Sequence, residues 1–121
     1  MAIQQRLRER CLSLALSLHP NDTSLRCHHY AFLIRNGRIF KIGWNKRKTH
    51  PITARYNYHE GIVYIHAELD VILKSKLEDL SEYSLFSVRI MKNGEFGLAR
   101  PCSGCSSVLK QVGITQIEWT I

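Results

Sequence analysis

The chain has 121 residues, the size of one ordinary domain, so residues 1–121 are read as a single unit with no room for a second. Hydrophobic residues make up 45% and charged residues 22%, which excludes disorder and fibrous repeats and permits a packed core. Seventeen Lys and Arg against ten Asp and Glu leave a net +7, a balance that favours anionic partners such as nucleotides or nucleic acid.

No apolar run approaches the roughly 20 residues of a membrane span, so no membrane partner is expected. Leu12 to Leu18 resembles the apolar centre of a signal peptide, but Ser13 and Ser17 interrupt it and no small-residue cleavage site follows. A cytoplasmic protein is expected. Cys11, Cys27, Cys102 and Cys105 are too few and too unevenly placed for a secreted disulfide scaffold. Cys11 and Cys27 read as small apolar fillers.

In chain order, Leu7, Cys11, Leu14, Ala15 and Leu18 recur at spacings of three and four, predicting an amphipathic helix over Gln4 to Leu18. His19-Pro20-Asn21-Asp22 stops it. Cys27 to Ile34 and Arg38 to Trp44 are β-rich runs joined by Asn36-Gly37, a pair that tolerates positive φ, so they predict an antiparallel hairpin. Alternation sends one of His28 and His29 inward, as a buried, hydrogen-bonded side chain. Asn45 to Tyr64 shows no sustained period and predicts a long loop, a kind of segment that often carries function.

Leu69, Ile72, Leu73 and Leu77 then predict a second helix beginning near Ala67, and Tyr83 to Ile90 a third strand. Asn93-Gly94 marks another turn. Pro101 stands where a third helix begins, with Val108, Leu109 and Val112 as its apolar face and Gly113 as its stop. Ile114 to Ile121 closes the chain as a fourth strand, parallel to the third by way of the crossover helix. A layered α/β domain follows.

His66-Ala67-Glu68 and Pro101-Cys102-Ser103-Gly104-Cys105 are the informative features. Both fall at predicted helix N-termini, which can converge at one edge of the sheet. One imidazole and two thiolates suit Zn²⁺ and leave a fourth tetrahedral position for water. Helix N-termini favour ionised cysteines. Glu68, two residues after His66, points differently and is placed to shuttle protons. The bland readings are a thioredoxin-like redox pair or half of a structural zinc knuckle for the cysteines, and a solvated helix residue for Glu68. A metalloprotease motif from His59-Glu60 is rejected, because His66 falls seven positions after His59 rather than the four that share a helix face.

The two motifs together resemble the zinc-dependent cytidine and deoxycytidylate deaminase superfamily, whose signatures are His-x-Glu and Pro-Cys-x-x-Cys. The resemblance runs from about Cys27 to Ile121. It implies a three-layer α/β/α cytidine deaminase-like sandwich with a mixed four- to five-stranded sheet, and one Zn²⁺ per chain. His66, Cys102 and Cys105 would be its ligands and Glu68 the general acid/base. Gly43-Trp44-Asn45 is similar to the Gly-x-Asn of deoxycytidylate and transfer-RNA adenosine deaminases, which makes Asn45 the sugar-binding residue. By the same resemblance the backbone N–H of Ala67 and the carbonyl preceding Pro101 hydrogen-bond the base. Lys46-Arg47-Lys48 reads either as a solvated loop or as phosphate capture beside Asn45. His50, Tyr56 and Tyr58 either line the pocket or pack the loop.

The expected activity is hydrolytic deamination of cytosine to uracil in a (deoxy)cytidine nucleoside or nucleotide, with release of ammonia. Two alternatives stand beside it. One is a polynucleotide deaminase acting on cytosine in single strands or adenosine in transfer RNA, favoured by the positive charge and the basic, aromatic segment after Asn45. The other is a non-catalytic zinc-stabilised binding domain. Assembly into homo-oligomers is a family-level expectation.

Overall fold

The computed structural model describes residues 3–18, 27–45 and 66–121, with Cys27 described in its backbone only. The turn expected at His19 to Asp22 lies outside the described residues, as do the loop residues Lys46-Arg47-Lys48, His50, Tyr56, Tyr58 and His59-Glu60.

The elements are α1 (Gln5–Leu18), β1 (Cys27–Arg35), β2 (Arg38–Trp44), α2 (Ala67–Ser75), β3 (Ser84–Met91), β4 (Phe96–Gly97), α3 (Ser103–Gln111) and β5 (Gln116–Trp119). β1 and β2 pair antiparallel from Tyr30 opposite Trp44 to Arg35 opposite Arg38. Asn36 and Gly37 close that hairpin at φ 52 and 71, the left-handed pair that a two-residue turn between twisted strands requires.

β3 is the centre of the sheet. It runs antiparallel to β1 along its length, and its other edge is shared. β5 lies parallel beside Ser84 to Ser87, and β4 antiparallel beside Arg89 and Ile90. The sheet is therefore mixed and five-stranded, with order β2-β1-β3-β4 and β5 attached to β3. β4 has two residues, too short for any hydrophobic period, and the sequence predicted only the turn that precedes it.

Helices cover both faces, giving the expected three layers. On one face α1 buries Cys11 and Ala15 against Tyr30, Phe32, Ile34, Phe86, Val88 and Ile90. Arg8 pairs with Glu118 of β5, and Glu118 also accepts from the Ile3 amide at 2.6 Å. On the opposite face α2 and α3 bury Leu69, Val71, Ile72, Val108 and Leu109 against Ala31, Leu33 and Leu85. Among the described residues no helix is long and apolar enough to cross a membrane.

Three boundaries differ from expectation. Leu18, placed on the apolar stripe of α1, is 46% exposed, because the packed part of the helix ends near Ala15. α2 stops at Ser75, where Lys76 turns left-handed at φ 57, so Leu77 lies beyond the helix instead of on its face. Pro101 precedes the helix: Cys102 is the N-cap and Ser103 the first helical residue. Gly113 turns at φ 90 just after the C-cap Val112, as its lack of a Cβ allows.

Candidate functional site

The site is built where the N-termini of α2 and α3 meet over the sheet. His66 is the N-cap of α2 and Cys102 the N-cap of α3, so both side chains stand where backbone N–H groups lack intrahelical partners. One glycine allows α2 to come this close. A Cβ on Gly43 would sit 2.5 Å from the Val71 nitrogen and 2.6 Å from the Ala67 carbonyl oxygen, so β2 and α2 touch backbone to backbone. Asp70 and Lys74 tie the same helix to the β2 edge. The Asp70 carboxylate accepts from the Trp44 amide at 3.0 Å and pairs with Lys74 at 3.0 Å. The Lys74 ammonium lies 3.2 Å from the centre of the Trp44 ring.

His66 Nδ1 lies 3.4 Å from the Cys102 sulfur and 3.4 Å from the Cys105 sulfur, and the three ligand atoms fall within 4.8 Å of one another. Tetrahedral zinc at its usual bond lengths of about 2.3 Å to sulfur and about 2.0 Å to nitrogen separates such atoms by roughly 3.5 Å. The donor set and its spacing fit that ion. The Cys102 sulfur also accepts from the Cys105 amide at 3.4 Å. Hydrogen bonding from the Cys105 thiol, aided by His66 and opposed by burial, holds Cys102 down to about 3, which favours thiolate. The hydrogen bond to Cys102 raises His66 above the ordinary histidine value, against its own burial.

Glu68 is buried at 2% exposure, which rules out the solvated-helix reading. The Ser87 hydroxyl donates to Glu68 Oε1 at 2.9 Å. Ser87 is itself fully buried on β3. Sequence reasoning passed over Ser87, although a hydroxyl between Phe86 and Val88 in the middle of a predicted strand was a signal.

Asn45 extends the hairpin by one residue. Its amide donates to the His29 carbonyl at 3.3 Å and its Oδ1 accepts from the His29 amide at 2.9 Å, which fixes it beside the start of β1. Ala67 opens α2 and is fully buried. Pro101 is half-buried, one position before the α3 cap. The structure thus brings His66, Glu68, Cys102 and Cys105 together, with Ala67 and Pro101 next to them in the chain.

The adjacent histidines divide as alternation requires. His28 follows the α1 face and is buried with a partner. His29 follows Ala31 and Leu33 onto the α2 and α3 face, where its Nε2 is buried with no hydrogen-bond partner. Burial, opposed by the Glu68 carboxylate, lowers its pKa below the ordinary histidine value. Burial thus disfavours the charged imidazolium.

No protein-family model and no curated protein matches this chain. Solved structures do. The dCMP deaminase of the cyanophage S-TIM5 in apo form has a TM-score of 0.60 and 21% identity, over 96% of this chain and 83% of that one. The same enzyme in complex with dCMP and dUMP has a TM-score of 0.59 and 21% identity, over 96% and 82%. The chain therefore shares the α/β fold of the deoxycytidylate deaminases.

Proposed function

We propose that this chain is a zinc-dependent hydrolytic deaminase that converts cytosine to uracil in a (deoxy)cytidine nucleoside or nucleotide and releases ammonia. The observation that carries the reading is the convergence of His66, Cys102 and Cys105 at 3.4 Å contacts, with a buried carboxylate two residues from the imidazole. A redox pair needs neither the histidine nor the glutamate, and a structural zinc site has no use for Glu68.

His66, Cys102 and Cys105 would hold the zinc, which when bound would supply a Lewis acid that polarises water for attack. Glu68 takes a proton from the attacking water and delivers it first to the ring nitrogen and then to the leaving amine. Ser87 holds Oε1 in place by hydrogen bond, which directs the other carboxylate oxygen to the proton transfers. The Ala67 N–H, at the free start of α2, donates to the carbonyl of the base. The carbonyl preceding Pro101 accepts from the amine, and Asn45, fixed by its two hydrogen bonds to His29, holds the sugar. Water adds at the amine-bearing carbon, the carbon–nitrogen bond breaks, and the products are the keto base and ammonia.

The test is ammonia release from deoxycytidine and dCMP by protein of measured zinc content. Stoichiometric zinc and turnover that Glu68→Ala abolishes are expected. Purified protein without zinc, or a Glu68→Ala variant as fast as the parent, overturns the reading. A second reading, action on single strands, is favoured by one feature: an open groove at the hairpin lined by Arg35, Asn36, Arg38, Ile39 and Phe40, where Phe40 is an exposed ring with the Lys41 ammonium 5.8 Å from its centre. Faster release from cytosine in an oligonucleotide than from dCMP decides for it.

A further inference from the structure

Among the described residues β2 is an edge of the sheet, paired only with β1, so part of its backbone faces away from the other strands. An edge at the surface can leave such groups to water. Here the outward groups of Ile42 and Trp44 are taken up by side chains of α2 instead. Lys74 Nζ donates to the Ile42 carbonyl at 3.3 Å, and the Trp44 amide donates to Asp70 Oδ2 at 3.0 Å. Between them Gly43 lies against the α2 backbone at Ala67 and Val71. Asp70 is only 5% exposed, and Lys74 pairs with the same carboxylate oxygen at 3.0 Å. A buried ion pair adds little net stability, because lost hydration offsets the attraction and apolar side chains of similar volume often serve a fold as well. What a bonded carboxylate fixes better than an apolar group is orientation.

Glu68 and Asp70 both belong to the first turn of α2, and two positions along a helix change the direction of a side chain by about 200°. Glu68 accepts from Ser87 on β3, and Asp70 accepts from Trp44 on β2. The two carboxylates therefore pin this turn from nearly opposite sides and set its rotation. The Asp70 amide also donates to the His66 carbonyl at 2.9 Å. Trp44, on the other side of the clamp, is followed by Asn45, which is bonded twice to His29. One side chain thus spans the gap between the turn that carries His66 and Glu68 and the strand end that carries Asn45.

We infer that Asp70 is a positioning residue: it holds Asn45 at a set distance from His66 and Glu68, and so governs capture of the sugar without touching the substrate or the reacting atoms. This rests on the proposed deaminase reading, in which Asn45 holds the sugar and Glu68 moves the protons. An interaction that binds the ground state and the transition state alike, once lost, raises KM and leaves kcat. Asp70 therefore acts on KM, whereas Glu68 and Ser87, which serve the proton transfers, act on kcat.

Steady-state ammonia release by the zinc-replete chain, from whichever of deoxycytidine and dCMP it turns over faster, is measured beside hydrogen exchange at the Trp44 amide. For Asp70→Ala the expected results are a rise in KM of about tenfold or more, with kcat within about threefold of the parent, and faster exchange of the Trp44 amide. Asp70→Asn keeps an oxygen acceptor for that amide, so it returns KM and exchange most of the way to the parent. In an Asn45→Ala background, where KM is already raised, Asp70→Ala adds no further rise, because two residues that act through one contact are not additive. A fall in kcat at unchanged KM overturns the inference. So does a second rise in KM on top of Asn45→Ala, an Asp70→Asn variant as poor as Asp70→Ala, or Trp44 exchange that ignores Asp70. In each of those cases zinc- and Glu68-dependent turnover by the parent leaves the deaminase reading standing. Where Asp70→Ala does not fold, Asp70→Leu with Lys74→Met takes its place, since it removes both bonds without stranding a buried charge. A zinc-replete parent that releases no ammonia from either substrate sinks the deaminase reading, and the role of Asp70 with it.

Discussion

The two faces of the one sheet are made by the same strands and do different work. β3 makes the contrast by itself. Phe86, Val88 and Ile90 point toward α1 into an apolar layer, while Leu85, Ser87 and Arg89 point the other way and change from apolar to hydroxyl to cation along the strand. The α1 face carries stability alone. The α2 and α3 face is a core at the Leu85 end and carries the candidate site, with Ser87 against Glu68, toward the other end, so its polar groups are buried where packing alone would have placed aliphatic side chains.

That contrast can be broken by experiment. Chelation of zinc, or His66→Ala, is expected to reduce turnover to background with loss of metal, measured by elemental analysis beside ammonia release. Glu68→Gln keeps the metal and the volume of the side chain but removes the base, and a fall of roughly 10²–10⁴ in kcat is expected from the usual worth of general acid–base catalysis. Retention of zinc by this variant separates it from the ligand variants.

On the other face Phe86→Ala removes a fully buried ring and should destabilise the fold by about 3–5 kcal/mol, read in a denaturant titration. Its activity per folded molecule should stay near that of the parent. A loss of kcat in the folded fraction would show that the two faces are not independent.

Ser87→Ala deletes the hydrogen bond to Glu68 at the polar end of β3. A hydrogen bond to a charged group contributes about 1.5–3 kcal/mol, so roughly a tenfold or larger fall in kcat is expected, with zinc content retained, which separates it from a collapsed site.

At neutral pH the smallest effect belongs to Cys11 under α1, whose thiol is pushed up to about 12 by burial. A folded-state value above the unfolded one favours the native state fully below about pH 9, and the advantage is lost as pH rises toward 12, because the unfolded thiol ionises first. Cys11→Ala should flatten that alkaline limb of stability, as followed by thermal melts across pH. An unchanged limb would assign it to other groups.

Much of this was legible without coordinates. Asn36-Gly37 announced the hairpin because only a few residues accept left-handed backbone at both turn positions. The order of β-rich and helical runs announced a layered fold with a parallel crossover, and His66-Ala67-Glu68 with Pro101-Cys102-Ser103-Gly104-Cys105 named the residues that converge. The end of α2 was placed too late because Leu77 matches the helical period, while the left-handed turn at Lys76 leaves no periodic trace. β4 escaped because two residues have no period.

Local chemistry by itself determined the turns, the amphipathic stripe of α1, the two strands of the hairpin and the set of soft donors suited to zinc, since each depends on side chains a few positions apart. Only the tertiary structure decided that Ser87 holds Glu68, that Gly43 admits the backbone of α2, and that His29 faces Arg89 across β1 and β3. Those facts depend on which strand lies against which and in what register, and a shift of one residue in that pairing would turn every one of these side chains to the opposite face.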